Sequence, residues 1–377
     1  MLMKPCECAG LWMLGINRVQ ENNMLKRWFI GASAMLMLVG VGAQAAAPQL
    51  PAGAISKNTT VVAYFDGATL TPDAMREAAA TVLGPNSPAV AQINQTIGKY
   101  QEKHDKAVQA GADSIMMVAA TGGAAQAAGH GAAAAELQNQ GVMYVHVRKG
   151  SHSAVQKMIS DEMEPAEREK TTFSNEGDFV VMRQKGQKPA EVPDPVRAKT
   201  FADALAHNST AALVVTFVPD DSTRQAAQNQ QAGNQPQWMQ DAVPVLANSQ
   251  WSSVAVQFGK MPAIVMTDQA ADAASATKLT NAVNAALAQL KQAAQNANAA
   301  GGAGGGNAMM MFAPMLAPLA DALKPTQQDS MVVINLNGQG LATIATTVAQ
   351  FAPMLGAMGG RPGAAPRRGA PAGGGAQ

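Results

Sequence analysis

The chain is short of cysteine, aromatic residues and net charge. Its two cysteines, Cys6 and Cys8, both stand in the first eight of 377 residues. If that stretch is absent from the working protein, disulfides, thiolate zinc sites, iron–sulfur clusters and cysteine nucleophiles are excluded with it. Aromatic residues make up 4% of the chain although 47% is hydrophobic. Ala, Val, Leu and Met must therefore fill the core, which predicts thin, close-packed layers in place of an aromatic-walled pocket. The formal net charge is +1. Residues 1–45 hold four of the 27 basic and two of the 26 acidic residues, leaving 23 basic against 24 acidic residues. No electrostatic footprint for nucleic acid results.

The N-terminus has the grammar of export. Met24, Lys26 and Arg27 supply a charged region, Trp28 to Val41 an apolar run, and Ala43-Gln44-Ala45 a small-residue cleavage site. Residues 24–45 thus read as a signal peptide with the mature chain starting near Ala46. The apolar run is shorter than the roughly 20 residues a spanning helix needs, so no membrane span is expected after cleavage. Residues 1–23, with Glu7, Arg18 and Glu21, fit no export signal and read as a mis-assigned upstream start. The expected location is the periplasm or the extracellular space, as a soluble protein. Residues 356–377 are mostly Gly, Ala, Pro and Arg, a composition that cannot bury enough apolar area to offset chain entropy, and read as a disordered tail.

Between leader and tail, two units run in the same order, 56–208 and 209–355. In the first, Thr59 to Asp66 alternates as a strand, Thr71-Pro72 and Ser87-Pro88 open helices, and Gly84 and Gly111 close them. Ser114 to Ala119 and Val142 to Arg148 follow as strands, then a helix over Ser151 to Met163, a strand to Gln184 and a helix from Asp194-Pro195. In the second, Ala211 to Val218, Ser252 to Phe258, Ala263 to Thr267 and Ser330 to Asn335 are strands, with the long Ala-rich helix Ala271 to Ala297 between the last two. Phe179-Val180-Val181-Met182 matches Met331-Val332-Val333-Ile334, and Val145-His146-Val147 is aligned with Ile264-Val265-Met266. The fold class predicted is α+β, a tandem duplication of a βαββαβ unit of the ferredoxin-like, split βαβ kind with extra helices.

The hairpin Trp251 to Thr267 with its long helix, Leu323-Lys324-Pro325 and the strand Met331 to Leu336 resembles a loose group of uncharacterised secreted bacterial proteins built from two α+β halves. The resemblance spans about Thr59 to Phe351. It implies the fold and no activity.

Candidate chemistry is sparse. His146 sits on a strand and His152 just beyond it, with Asp161, Glu162 and Glu164 at the far end of the following helix, but no known metal spacing joins them. The acidic run reads as a solvated helix end. Asn337-Gly338-Gln339-Gly340 lies between strand and helix as a dinucleotide-binding turn would, yet Thr343 takes the third small position and no acidic strand follows, so a tight turn is the reading. Gly301 to Gly306 lack a following Lys-Ser or Lys-Thr and serve as a connector. No Gly-x-Ser-x-Gly elbow occurs. Met309, Met310, Met311 and Met315 offer thioethers for Cu(I), or an adaptable surface for another envelope protein; interleaved Phe312, Leu316 and Leu319 favour ordinary helix packing. No cofactor is expected. The function expected is non-enzymatic binding or assembly in the bacterial envelope, with a hydrolase of dispersed residues and a methionine-based copper binder as the rivals.

Overall fold

The computed structural model describes residues 48–120, 141–187, 192–229, 237–299, 318 and 320–345. The leader, the tail and Met309, Met310, Met311 and Met315 lie outside the described residues.

Local chemistry sets the first elements. Strand β1 (Thr59–Asp66) leads to helix α1 (Pro72–Leu83), whose N-terminus is closed by Thr71 Oγ1 accepting from Ala74 N at 3.1 Å. Helix α2 (Pro88–Ala110) starts on a Ser87 cap and stops at Gly111, which adopts the left-handed conformation. The two helices pack together as a hairpin. An α-hairpin returns the chain to the end of the sheet where β1 finished, so β2 (Ala112–Ala120) runs antiparallel beside β1. Strand β3 (Val142–Val147), helices α3 (His152–Glu162) and α4 (Pro165–Arg168), strands β4 (Thr171–Glu176) and β5 (Phe179–Gln184), and helix α5 (Pro195–His207) complete the first half. Asp194 Oδ1 caps α5, accepting from Val196 N and Arg197 N.

The second half follows the same order: β6 (Leu213–Phe217), α6 (Asp221–Asn229), α7 (Gln237–Asn248), β7 (Trp251–Gln257), β8 (Ala263–Gln269), α8 (Ala273–Ala299), β9 (Pro325–Gln328) and β10 (Met331–Leu336), with residues 338–345 helical. All ten strands join one sheet in the order β4-β5-β3-β2-β1-β6-β7-β8-β10-β9, every neighbouring pair antiparallel. The protein is therefore mixed α+β. Outward from the central β1–β6 pair the two sides have the same strand order, while register shifts among the described residues occur only in the first half, between Thr59 and Val61 and between Ala112 and Ser114. One row crosses the sheet as Phe173, Met182, Met143, Met117 and Ala63, then Val215, Val254, Met266, Ile334 and Pro325. Val61 to Phe65 and Leu213 to Phe217 stand in corresponding places, as do Val180 to Met182 and Val332 to Ile334.

Two expectations need correction. A ferredoxin-like βαββαβ unit would insert its first strand between its third and fourth, whereas β1 and β6 lie at the centre of the sheet, each beside the other and its own next strand. A split βαβ does occur, in β3–α3–β4 with β5 between the two parallel strands, but it uses the edge strand β4, unread in the sequence. The proposed match of Val145-His146-Val147 to Ile264-Val265-Met266 is also displaced: the ladders pair Met143 with Met182 and Met266 with Ile334, so Val145 corresponds to Asp268.

Helices cover both faces. On one face Ala107 of α2 and Val155 and Ile159 of α3 pack over Phe65, Ile115, Val145 and Val180, and on the same face α7 and α8 pack over Val332. On the other, Phe201, Ala204 and Leu205 of α5 cover Val62, Val214, Ala255 and Trp251. No helix among the described residues is long and apolar enough to cross a membrane.

Candidate functional site

The two halves share a strand frame but not the side chains that fill it. Under α2 and α3 the row Val180, Val145, Ile115 and Phe65 is apolar and almost fully buried. The corresponding row under α7 and α8 is Val332, Asp268, Ser252 and Phe217. One row over, Met182, Met143 and Met117 face Ile334, Met266 and Val254 as counterparts. The exchanges of Ile115 for Ser252 and Met117 for Val254 shorten the side chains on the strands, and the helices above offer Ala242, Ala282 and Ala286. Space remains beneath α7 and α8.

That space is a cavity of about 430 Å³ between the sheet and helices α7 and α8. Val215, Val254 and Met266 form its floor, with Leu246, Leu279, Val283 and Leu287 as its walls. Phe217 is the one aromatic among its lining residues. Val215, Leu246 and Val254 remain 37%, 40% and 41% exposed, so apolar lining is open to solvent on that side. Large side chains that line a folded domain are ordinarily closed over by their neighbours, so an apolar recess of this size is the feature that most resembles a ligand site.

The recess has one polar end. Asp268, 7% exposed, and Ser252 line it. Ser252 Oγ is 2.6 Å from Asp268 Oδ2, and Ser249 Oγ is 2.8 Å from Asp268 Oδ1. Burial pushes the Asp268 carboxyl above the usual carboxylate range, and the hydroxyls of Ser252 and Ser249 oppose that rise.

The residues singled out in the sequence are not here. His146 Nδ1 is 3.5 Å from Asp113 Oδ2, and its ring meets Phe179 edge-on at 5.3 Å. Ser114 is the cross-strand partner of His146, so the sheet does gather a serine, a histidine and an aspartate. The Tyr64 hydroxyl bonds the Ser114 side chain and is pushed up to about 12 by burial and by Asp66. His146 and Asp113 are each about one third exposed. His152 stands apart at the start of α3, where Nε2–H donates to Gly177 O at 2.9 Å and ties the helix to the β4–β5 turn. Of the acidic run, Glu162 pairs with Lys103 and Lys106, and Asp161 with Lys157. Among the described residues no three His, Cys, Asp or Glu side chains come together as a metal set. The turn at Gly338 is a helix start, with Asn337 Oδ1 accepting from Gly340 N at 3.1 Å. One spacing overlooked in the sequence is Ser275-x-x-Lys278; Lys278 is exposed on the first turns of α8, and neither residue lines the cavity.

The cavity was missed because its signal is comparative. Ser252 and Asp268 look like polar residues in a hairpin until the register sets them beside Ile115 and Val145. No family model, curated protein or solved structure matches the chain.

Proposed function

We propose that the chain is an exported, soluble binding protein made of two copies of one α+β unit, in which the second copy has opened its core to hold a small, mainly aliphatic ligand. The observation that carries this reading is the pair of corresponding rows: one strand frame, lined by buried apolar side chains in the first half and by Asp268, Ser252 and a cavity in the second. Supporting the duplication is the matching strand order of the two halves. Export rests on the leader grammar of residues 24–45, and the resemblance to secreted two-unit proteins accords with it.

A recess of about 150 Å³ lined by aliphatic and aromatic side chains takes benzene. The volume here is nearly three times larger and suits an aliphatic molecule of about ten to fifteen heavy atoms. Binding is tested with aminoanthracene, whose emission rises on entering an apolar site. Val254→Phe should abolish the signal by filling the recess from its floor. Met117→Phe, at the corresponding place in the first half, should leave it intact. Equal signals from both variants would remove the cavity as the site.

A second reading, hydrolysis, is favoured by one grouping, Ser114 beside His146 and Asp113. It requires covalent labelling of Ser114 by a fluorophosphonate, lost in His146→Ala. No labelling at Ser114 would end it.

A further inference from the structure

The polar end of the cavity has more hydrogen-bond contacts than an ionised carboxylate can satisfy. Ser249 Oγ lies 3.0 Å from Val245 O as well as 2.8 Å from Asp268 Oδ1. A hydroxyl carries one proton and can donate to one of them. Val245 is in the last turn of α7, where a carbonyl lacks its ordinary intrahelical partner, and that carbonyl can only accept. If Ser249 donates to Val245 O, its oxygen can meet Asp268 Oδ1 only as an acceptor, and the hydrogen between them must come from the carboxyl. A neutral Asp268 satisfies every contact: Asp268 to Ser249, Ser249 to Val245 O, and Ser252 Oγ–H to Asp268 Oδ2.

This arrangement uses both serine protons and the carboxyl proton inside the protein. What this pair leaves for an occupant is acceptor capacity, on Asp268 Oδ2 and on Ser252 Oγ; the neighbouring Thr267 alternates to the opposite face of its strand. A carboxylate or an ester would set acceptors against acceptors. An ammonium would be buried among aliphatic side chains and would need Asp268 to surrender the proton that completes the network. A plain hydrocarbon would leave two buried acceptors as they were.

We propose that the cavity is selective for an aliphatic alcohol, its chain among Val215, Val254, Leu279, Val283 and Leu287 and its hydroxyl donating to the Asp268–Ser252 pair. This rests on the cavity reading above. The full mature chain is tested by displacement of aminoanthracene with octanol, octylamine, octanoate and octane. Octanol should bind about tenfold more tightly than octane, the effect of one added hydrogen bond, and more tightly than octylamine or octanoate. Asp268→Asn keeps a donor toward Ser249 and an acceptor toward the ligand and should retain the preference. Ser252→Ala should reduce it, and Asp268→Leu should erase it while octane still binds. Octylamine or octanoate binding most tightly, or octanol no better than octane, would overturn the assignment of the head group. Failure of the dye and of all four compounds would overturn the cavity reading itself.

Discussion

Replacing Asp268 by Asn tests the protonation of the buried acid without disturbing its shape. The amide presents its nitrogen to Ser249 Oγ and its oxygen to Ser252 Oγ, reproducing the donor and acceptor of a neutral carboxyl at contacts of 2.8 and 2.6 Å. The folded carboxyl is raised above 3.8 by burial. The folded state therefore holds a proton that the unfolded state releases, and the stability of the native chain falls as pH rises between the two values. The slope is about 1.4 kcal/mol per pH unit in that window, and above the folded value the loss is constant. The Asn variant has no such term. Near pH 3.5 the two proteins should agree within about 0.5 kcal/mol, the scale of a conserved hydrogen-bond pattern, and the variant should become the more stable as pH rises through the carboxyl range. Asp268→Ala strands Ser252 Oγ instead and should cost about 1–3 kcal/mol relative to the Asn variant at high and low pH alike. Urea unfolding at pH steps from 3.5 to 8 reads all three. A variant less stable than the native chain by the same amount at every pH would show that Asp268 is ionised in the fold, and the hydrogen count made from Ser249 would be wrong.

Gly111 has φ +94°, and a Cβ there would lie 2.3 Å from Ser151 Oγ and 2.5 Å from Ser151 Cβ. Gly111→Ala should lower unfolding stability by at least about 2 kcal/mol, and a loss under 0.5 kcal/mol would mean that the α2–β2 corner is looser than described. Arg197 spans the seam between the halves, donating through Nε to Thr59 O, through Nη2 to Val218 O at 2.5 Å and through Nη1 to Pro219 O at 3.2 Å. A lysine has no fork, so Arg197→Lys should cost about 1–3 kcal/mol in denaturant titrations, and a lysine variant of native stability would discount those bonds. Mass spectrometry of the natively expressed protein should find a start near Ala46, and recovery of residues 1–23 would dismiss both the leader and the absence of cysteine.

Most single elements could be read from the sequence because their signals are local. Thr71-Pro72, Ser87-Pro88 and Asp194-Pro195 open the helices they predict, and Gly84 and Gly111 end theirs. The two missed strands have no such signal. Thr171–Glu176 is a polar edge strand with Phe173 as its one large apolar side chain against the core, and Pro325–Gln328 begins on a proline tolerated only because it lies at an edge. Without those edges the strand order cannot be deduced from the sequence, and the remaining elements suit a ferredoxin-like order equally well. Ser252 and Asp268 remained hidden for a related reason. A buried acid in a strand is recognisable only once its neighbours across the sheet are known, and they come from residues more than a dozen positions away.

The central pair β1–β6 joins the halves through corresponding strands, Val61 opposite Phe217 and Ala63 opposite Val215. An edge that pairs with its own counterpart is self-complementary. Half the chain, expressed alone, would bare that edge and meet a fitting partner in any other copy of itself, giving a closed two-fold dimer with the outline of the whole protein. Two first halves joined in this way would have two filled cores and no recess, whereas two second halves would have a recess on each side. On the two-copy reading proposed above, the covalent chain lets one half keep a cavity that the other need not have, a division of labour that a symmetric dimer of identical subunits cannot make.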